Sequence, residues 1–338
     1  MIDVQLDTTN FVDGKTAYFD GTAGVLKTAW ASPQSPIADL RDFMDVRYGA
    51  GQWTYRTTQQ GSVVTGTDAG PAITDALAAL RARYGRGKLL IPPGAFTVIQ
   101  PPDPQTLGGH IIEGFGSQAS QIYFQNGQQP LFWFNGSATG GALKGLGLLI
   151  EAGLGDTNAT CILQQGNVKR LDANGVWDGQ YHQPDQMEFS DLYITSADGV
   201  SKWHTGWLVN GEGRTSPQGV RVCHATNIQI FRCRYLGAGF YNAQKFSVIN
   251  LGIYAGTGTG NSLYLSGGGT SSKNSGDCLF DNITVSGDLN LTAATGCSIR
   301  GKCSTVSASS SFNAYDIFLD SGAPLSGSLG PNGRYVII

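Results

Sequence analysis

The chain is poor in charge: Asp, Glu, Lys and Arg together make up 14% of its 338 residues, against about 25% in an ordinary soluble domain. Helical bundles need charged outer faces, so this scarcity disfavours them. Glutamate is especially rare, with Glu113, Glu151, Glu188 and Glu212 the complete set. No stretch approaches eighteen uninterrupted apolar residues, so membrane insertion is not expected. A net charge of −3 offers no basic surface, and no nucleic acid partner is expected. Cys161, Cys223, Cys233, Cys278, Cys297 and Cys303 lack CxxC spacing. The four histidines, His110, His182, His204 and His224, neither pair at i, i+4 nor fall near the cysteines at ligand spacing, so no metal and no cofactor is expected. The opening MIDVQLDTTNF has neither the basic nor the apolar region of a secretory leader, which predicts synthesis as a soluble cytoplasmic chain.

What the chain has in excess is glycine. Its 48 glycines are about twice the usual ~7% share, and with short apolar runs they suit a strand-and-turn architecture. The most informative stretch is Asp39 to Ile99. Within it Ile73, Leu77, Leu80 and Tyr84 fall on one face of a helix from Pro71 to Tyr84. Asp68 and Gly70 precede this helix, Arg81 and Arg83 occupy its last turn, and Gly85 follows it. Next come a strand at Lys88 to Ile91, a Pro92-Pro93-Gly94 turn, and a strand from Ala95 to Ile99.

This order of an extended DLRDF, a glycine-containing loop, Thr67-Asp68, a helix and GKLLIPPGAF resembles the start of the pectate-lyase-like right-handed β-helix family, in its bacteriophage tailspike form. The resemblance covers about Asp39 to Val98. The loop from Gly49 to Gly66 departs from it, being longer and less acidic than the family's. The implied fold is all-β: a right-handed parallel β-helix whose open end is closed by a short N-terminal capping α-helix. The implied setting is a virion, with the chain made in the host cytoplasm and carried on a phage tail.

Beyond Gln100 a polar or glycine residue followed by apolar-x-apolar recurs at Gln121, Gly145, Asp191, Asn227, Asn250, Asn282 and Asp316. A β-helix coil takes somewhat over twenty residues, so the short intervals read as bare coils and the long ones as coils enlarged by loops. The longest, from Gly145 to Asp191, could hold two coils. Asparagine or aspartate before a strand tolerates left-handed backbone and can bond to its counterpart one coil away. Apolar-x-apolar triplets are also common in any β protein.

Four segments follow. Residues 1–38 have too few apolar residues for a core, and in a tailspike they would attach the chain to tail or baseplate proteins. Residues 39–110 hold the cap and first coils, 111–303 the body with its insertions, and 304–338 the closing segment. The apolar end Arg334 to Ile338 predicts a homotrimer that buries it. The scattered cysteines read as buried free thiols, with Cys223–Cys233 or Cys297–Cys303 bridges as the alternative.

Function in a solenoid resides in the loops that interrupt it. Two enlarged intervals, Gly166 to Gln186 and Gly199 to Gly219, flank the coil at Asp191. Flat aromatic faces beside carboxylates suit sugar binding, which makes Trp177, Tyr181, His182, Trp203, Trp207 and Arg214 candidate ligand contacts; aromatics that simply seal the coil are the alternative. Glycoside hydrolysis needs two carboxylates, and the candidates are Glu151, Asp178, Asp185, Glu188 and Glu212. A lyase needs a base such as Tyr181, His182 or His204 and a cation such as Arg214 or Lys202 to neutralise a uronate carboxyl. The expected ligand is a bacterial surface polysaccharide (capsule, exopolysaccharide or lipopolysaccharide), bound and cleaved, or bound alone by a non-catalytic adhesin of the same fold.

Overall fold

The computed structural model describes residues 15–20, 25–30, 36–59, 62–135, 140–166, 168–171, 177–182, 184–211, 220–254, 262–266, 275–292, 294–308, 316–319, 323–327 and 335–337. Parallel pairing between successive coils builds three sheets that run the length of the body. The first stacks 37–39, 88–91, 111–114, 142–144, 188–190, 224–226, 247–249, 279–281, 298–301, 316–319 and 335–337. The second runs from 94–98 through 120–124, 147–150, 193–196, 228–231, 251–254 and 283–285 to 301–303. The third stacks 132–134, 160–165, 203–210, 233–241, 263–266, 289–291, 305–308 and 325–327. The chain is a parallel β-helix.

Register holds because one apolar residue per strand lands over another. In the first sheet the inward column reads Ala38, Leu89, Ile112, Leu143, Phe189, Ala225, Val248, Phe280, Ile299 and Ile317, all buried. In the second it reads Phe96, Ile122, Leu148, Ile194, Ile230, Ile253, Val285 and Cys303. Each large side chain so placed contributes about 1.5–3 kcal/mol relative to exposure, and a one-residue slip would turn the whole column outward.

The corner between these two sheets carries the expected ladder. Asp191, Asn227, Asn250 and Asn282 have φ of 54°, 57°, 58° and 52°. Asn282 donates to Asn250 (2.5 Å), Asn250 to Asn227 (2.9 Å) and Asn227 to Asp191 (2.9 Å). The amides point one way because the carboxylate at the end can only accept. The interval from Gly145 to Asp191 is one coil, since 144 pairs with 190 and 147 with 193; the surplus residues include an antiparallel hairpin, Val168–Leu171 with Trp177–His182. Asp316 does not continue the repeat. It pairs with Ser298 on the first sheet, and the coil between it and Asn282 was hidden because Gly301-Lys302-Cys303 lacks the apolar-x-apolar signature.

The corner that leads into the first sheet is left-handed at Gly140, Gln186, Val222, Lys245, Asp277 and Gly296. Val222 is the misfit, a β-branched residue at φ 49°. Relief of about 1–2 kcal/mol, less the entropy glycine adds to the unfolded chain, predicts that Val222→Gly stabilises the protein by about 0.5–1 kcal/mol. A thermal midpoint that stays level or falls would contradict this.

The cap has two helices. The DLRDF segment, expected to be extended, is extended only to Asp39; α1 spans Leu40–Tyr48, with Asp39 accepting from the Arg41 N–H as its N-cap. α2 spans Gly70–Tyr84 and buries Ala72, Ile73, Ala76, Leu77 and Leu80, packing with α1 on the first strands of the coil. Asp68 fixes the entry of α2, accepting from the N–H groups of Gly70 (3.1 Å), Ile99 (2.9 Å) and Gln100 (3.1 Å). Arg81 donates to the carbonyls of Gln105, Thr106 and Gly108.

Beneath the cap His110 is buried, and its Nδ1 accepts from the Gly87 N–H at 3.1 Å. Burial, reinforced by Arg81, lowers its pKa from 6.5 to about 4. The unfolded chain therefore binds the proton first, and stability falls as pH drops from 6.5 towards 4, by about 1.4 kcal/mol per pH unit and about 2 kcal/mol by pH 5. Urea midpoints at pH 7 and pH 5 should show this loss and a flatter dependence in His110→Gln; equal dependence in both proteins would refute it.

All six cysteines are free and buried, so neither Cys223–Cys233 nor Cys297–Cys303 is bridged. The thiols that do meet are Cys278 and Cys297, hydrogen-bonded across one coil, an interaction that holds Cys297 down and pushes Cys278 up. Among the described residues no helix is long and apolar enough to cross a membrane. The last strand, Tyr335–Ile337, pairs on one side with 317–319, and Val336 on it is exposed.

Candidate functional site

The third sheet carries a cleft of about 400 Å³ on its outer face, lined by Asn158, Thr160, His204, Thr205, Leu208, Asn210, Tyr235, Leu236 and Tyr241. It spans three successive coils, with Thr160, Thr205 and Leu236 in one row and Gln165, Asn210 and Tyr241 in another. Between those rows a Cβ on Gly239 would meet Leu236 at 2.5 Å, Tyr241 at 3.0 Å and Leu208 at 3.3 Å, so the missing side chain keeps the apolar floor low. Aromatic rings stand at both ends. His204 stacks on Tyr235 (centroids 5.0 Å, 22°), and Tyr241 stacks on Tyr264 (5.3 Å, 28°). Tyr235 is 62% exposed.

The sequence places Trp203, His204 and Trp207 in a loop that enlarges the coil. They lie instead on the strand Trp203–Asn210, whose alternation sends Trp203, Trp207 and Val209 inward and His204, Leu208 and Asn210 outward. Both indoles are fully buried and present no face to solvent. Trp203 stacks on Phe124 and donates to the Thr195 carbonyl at 2.8 Å, while Trp207 donates to Gln164 at 3.0 Å. They fill the coil, the sealing role that the sequence left open.

The candidate carboxylates are dispersed. Glu151 is 4% exposed and forms a two-point ion pair with Arg56, Nε to Oε2 at 2.7 Å and Nη2 to Oε1 at 2.8 Å. Asp185 sits half-buried before the first sheet, where burial raises its pKa against the opposing 2.7 Å bond from the Arg221 N–H. Glu188 is on the first sheet, paired with Lys144 at 2.7 Å. None of the three lines the cleft. Trp177, Asp178, Tyr181 and His182 occupy one strand of the antiparallel hairpin, with Tyr181 opposite Lys169 and His182 opposite Val168; their side chains lie outside the described residues. Glu212 and Arg214 lie outside the described residues altogether.

Of the lyase candidates, His204 is a wall of the cleft and Lys202 stands two residues before it. Burial, and secondarily the positive charge of Arg234, lowers the His204 pKa below its ordinary value, so the imidazole is neutral at pH 7 and able to accept a proton. The turn ahead of Lys202 is rigid: Asp198 accepts from Gly153, Val200 and Ser201 N–H groups and the Ser201 hydroxyl. Burial opposes ionisation there, but these bonds outweigh it and bring the Asp198 pKa down to about 2. Amides, hydroxyls and aromatic rings over an apolar floor can hold a sugar ring, and His204 can serve as base. Among the described residues no group of three or more His, Cys, Asp and Glu side chains could hold a metal ion. Sequence reasoning missed Tyr235, Tyr241, Asn158 and Asn210, because only the coil register assembles them.

No protein-family model matches this chain, and no curated protein does. Among solved structures, the A-module of the mannuronan C-5 epimerase AlgE4 from Azotobacter vinelandii superposes with a TM-score of 0.52 at 15% identity, over 86% of this chain and 76% of that one. The likeness is one of fold. The Agl-KA catalytic domain gives 0.48 at 14% identity, covering 88% of this chain and 49% of that one. The tailspike protein gp49 of Acinetobacter baumannii bacteriophage Fri1, a capsular polysaccharide depolymerase, gives 0.42 at 11% identity, covering 96% and 68%. The chain thus spans about half of the Agl-KA domain and most of the epimerase module.

Proposed function

We propose that this protein is a tailspike-type β-helix that binds a bacterial surface polysaccharide along the outer face of the third sheet and cleaves it there. The observation that carries the reading is the cleft itself, with a neutral His204 stacked on an exposed Tyr235 above a floor opened by Gly239. His204 is the proposed base for elimination beside a carboxyl group. A hydrolytic version draws on Asp178 and Glu212. In sequence the strand that bears Asp178 comes after Gly166, whose N–H bonds the Asn210 carbonyl at 2.8 Å, and Glu212 comes two residues after Asn210. Residues 1–38 would attach the chain to the phage tail, and the last strand, Tyr335–Ile337, which among the described residues pairs only with 317–319, would be buried in a homotrimer.

One observation favours a non-catalytic adhesin instead: among the described residues no carboxylate lines the cleft. Incubation with capsule, exopolysaccharide and lipopolysaccharide separates the readings. New unsaturated uronates mark a lyase, new reducing ends without unsaturation a hydrolase, and retained binding without either product the adhesin. Failure to bind any of them would overturn the proposal.

A further inference from the structure

Among the described residues, the ion pairs set a standard that one cluster does not meet. Arg41–Asp39, Arg47–Asp75, Arg56–Glu151, Lys88–Glu113 and Lys144–Glu188 close at 2.5 to 2.7 Å. Asp156 is held differently, with Oδ1 3.4 Å from Lys202 Nζ and Oδ2 3.9 Å from Arg234 Nε. Both separations exceed the ~2.7–2.9 Å of a charge-assisted hydrogen bond, so one carboxylate sits between two cations without closing on either. Asp156 is 51% exposed at its side chain, and Arg234 is 48% exposed.

The cluster borders the cleft at its His204 end. Asp156 bridges to Lys202 in the coil register, Thr157 anchors the Lys202 carbonyl through its hydroxyl at 2.8 Å, and Asn158 is the first lining residue beyond. Lys202 precedes His204 by two residues, and Arg234 is adjacent to Tyr235. The charge of Arg234 also reaches the His204 ring.

We propose that Lys202 and Arg234 form a carboxylate subsite, occupied by Asp156 until a uronate of an acidic polysaccharide displaces it. This rests on the polysaccharide reading above and narrows it to a substrate class. A guanidinium can grip an incoming carboxylate at two points while the ammonium supplies a point charge, and the sugar ring is then brought against His204 and Tyr235. Asp156 swings into water at small expense because half of it is already there. A neutral sugar offers the two cations nothing to replace Asp156, so the placeholder also discriminates against it.

The test uses the full chain and immobilised bacterial surface polysaccharides, each in native form and after chemical reduction of its carboxyls to alcohols. The expected result is binding to uronate-containing polymers that falls at least about tenfold on reduction. Arg234→Gln and Lys202→Gln should each weaken binding of the native polymer by a similar factor, with thermal midpoints unchanged, and Asp156→Asn should strengthen it several-fold. Binding that survives carboxyl reduction, tighter binding to a uronate-free or sulfated polymer, or indifference to all three substitutions overturns the subsite and leaves the polysaccharide reading standing. Binding to no polysaccharide overturns both.

Discussion

Replacing Glu151 by alanine is expected to lower folding stability by about 3–5 kcal/mol, the usual consequence of stranding one member of a buried ion pair. Arg56 comes from the segment that follows α1, where its N–H also bonds the Ala95 carbonyl at 2.9 Å. Its guanidinium lies 3.9 Å over the ring of Tyr123 and meets Glu151, which accepts a further bond from the Ala152 N–H at 2.8 Å. The side chains of Arg56 and Glu151 are 10% and 5% exposed. Removing the carboxylate leaves a guanidinium with little access to water, at the point where the cap segment is tied to three successive coils. Denaturant titration of Glu151→Ala and Arg56→Met, each alone, should show the full loss. The double change Glu151→Leu with Arg56→Met should lose less than either, because it removes both charges together. A single variant within about 1 kcal/mol of the parent, or a double variant that simply adds, would refute the account.

That ion pair also marks the limit of what the sequence disclosed. Glu151 stands out in the sequence as one of only four glutamates, but nothing local to it points to Arg56, which lies 95 residues away. The parts of the fold that were legible are those written within a few residues: the buried face of α2, the left-handed Asn ladder, and the inward columns of the second sheet. α1 was not, because LRDFMDVRY buries only Leu40, Phe43 and Met44 and otherwise reads as polar. The cleft was not either. WHTGWLVN contains two tryptophans that look like ligand platforms until the strand alternation turns them inward, and the histidine between them looks less informative than it is. Tyr235 and Tyr241 belong to RYLGAGFY, whose glycines suggest a loop; Gly237 in fact faces into the coil, where a Cβ would strike Ile253, and Gly239 lies at the cleft floor, where a Cβ would strike Leu236. A solenoid composes its surface from residues one coil apart, and the variable size of each coil, fixed by insertions such as the hairpin at 168–182, hides that spacing.

If the cleft is catalytic, His204→Phe should lower turnover by about 10²–10⁴-fold while leaving polysaccharide binding largely intact, the range that loss of a positioned general base produces. Phenylalanine keeps a flat, slightly larger ring against Tyr235 and removes the nitrogens, with them the 3.1 Å contact between Nδ1 and the Thr205 hydroxyl. The sign of the pH dependence follows from the environment. Because burial and then Arg234 hold the imidazole below its ordinary value of 6.5, kcat/KM should rise with pH along a limb centred below 6.5. Arg234→Gln removes one of the two causes, so the limb should move upward, towards the ordinary value, whatever happens to affinity. His204→Phe should abolish the limb. The pair of profiles separates a base from a packing residue: a structural histidine could lower the rate when replaced, but its neighbour's charge would not shift the midpoint of the rate profile. Turnover within threefold of the parent in His204→Phe, or an acid limb that ignores Arg234→Gln, would remove His204 from the chemistry and leave the cleft as a binding surface.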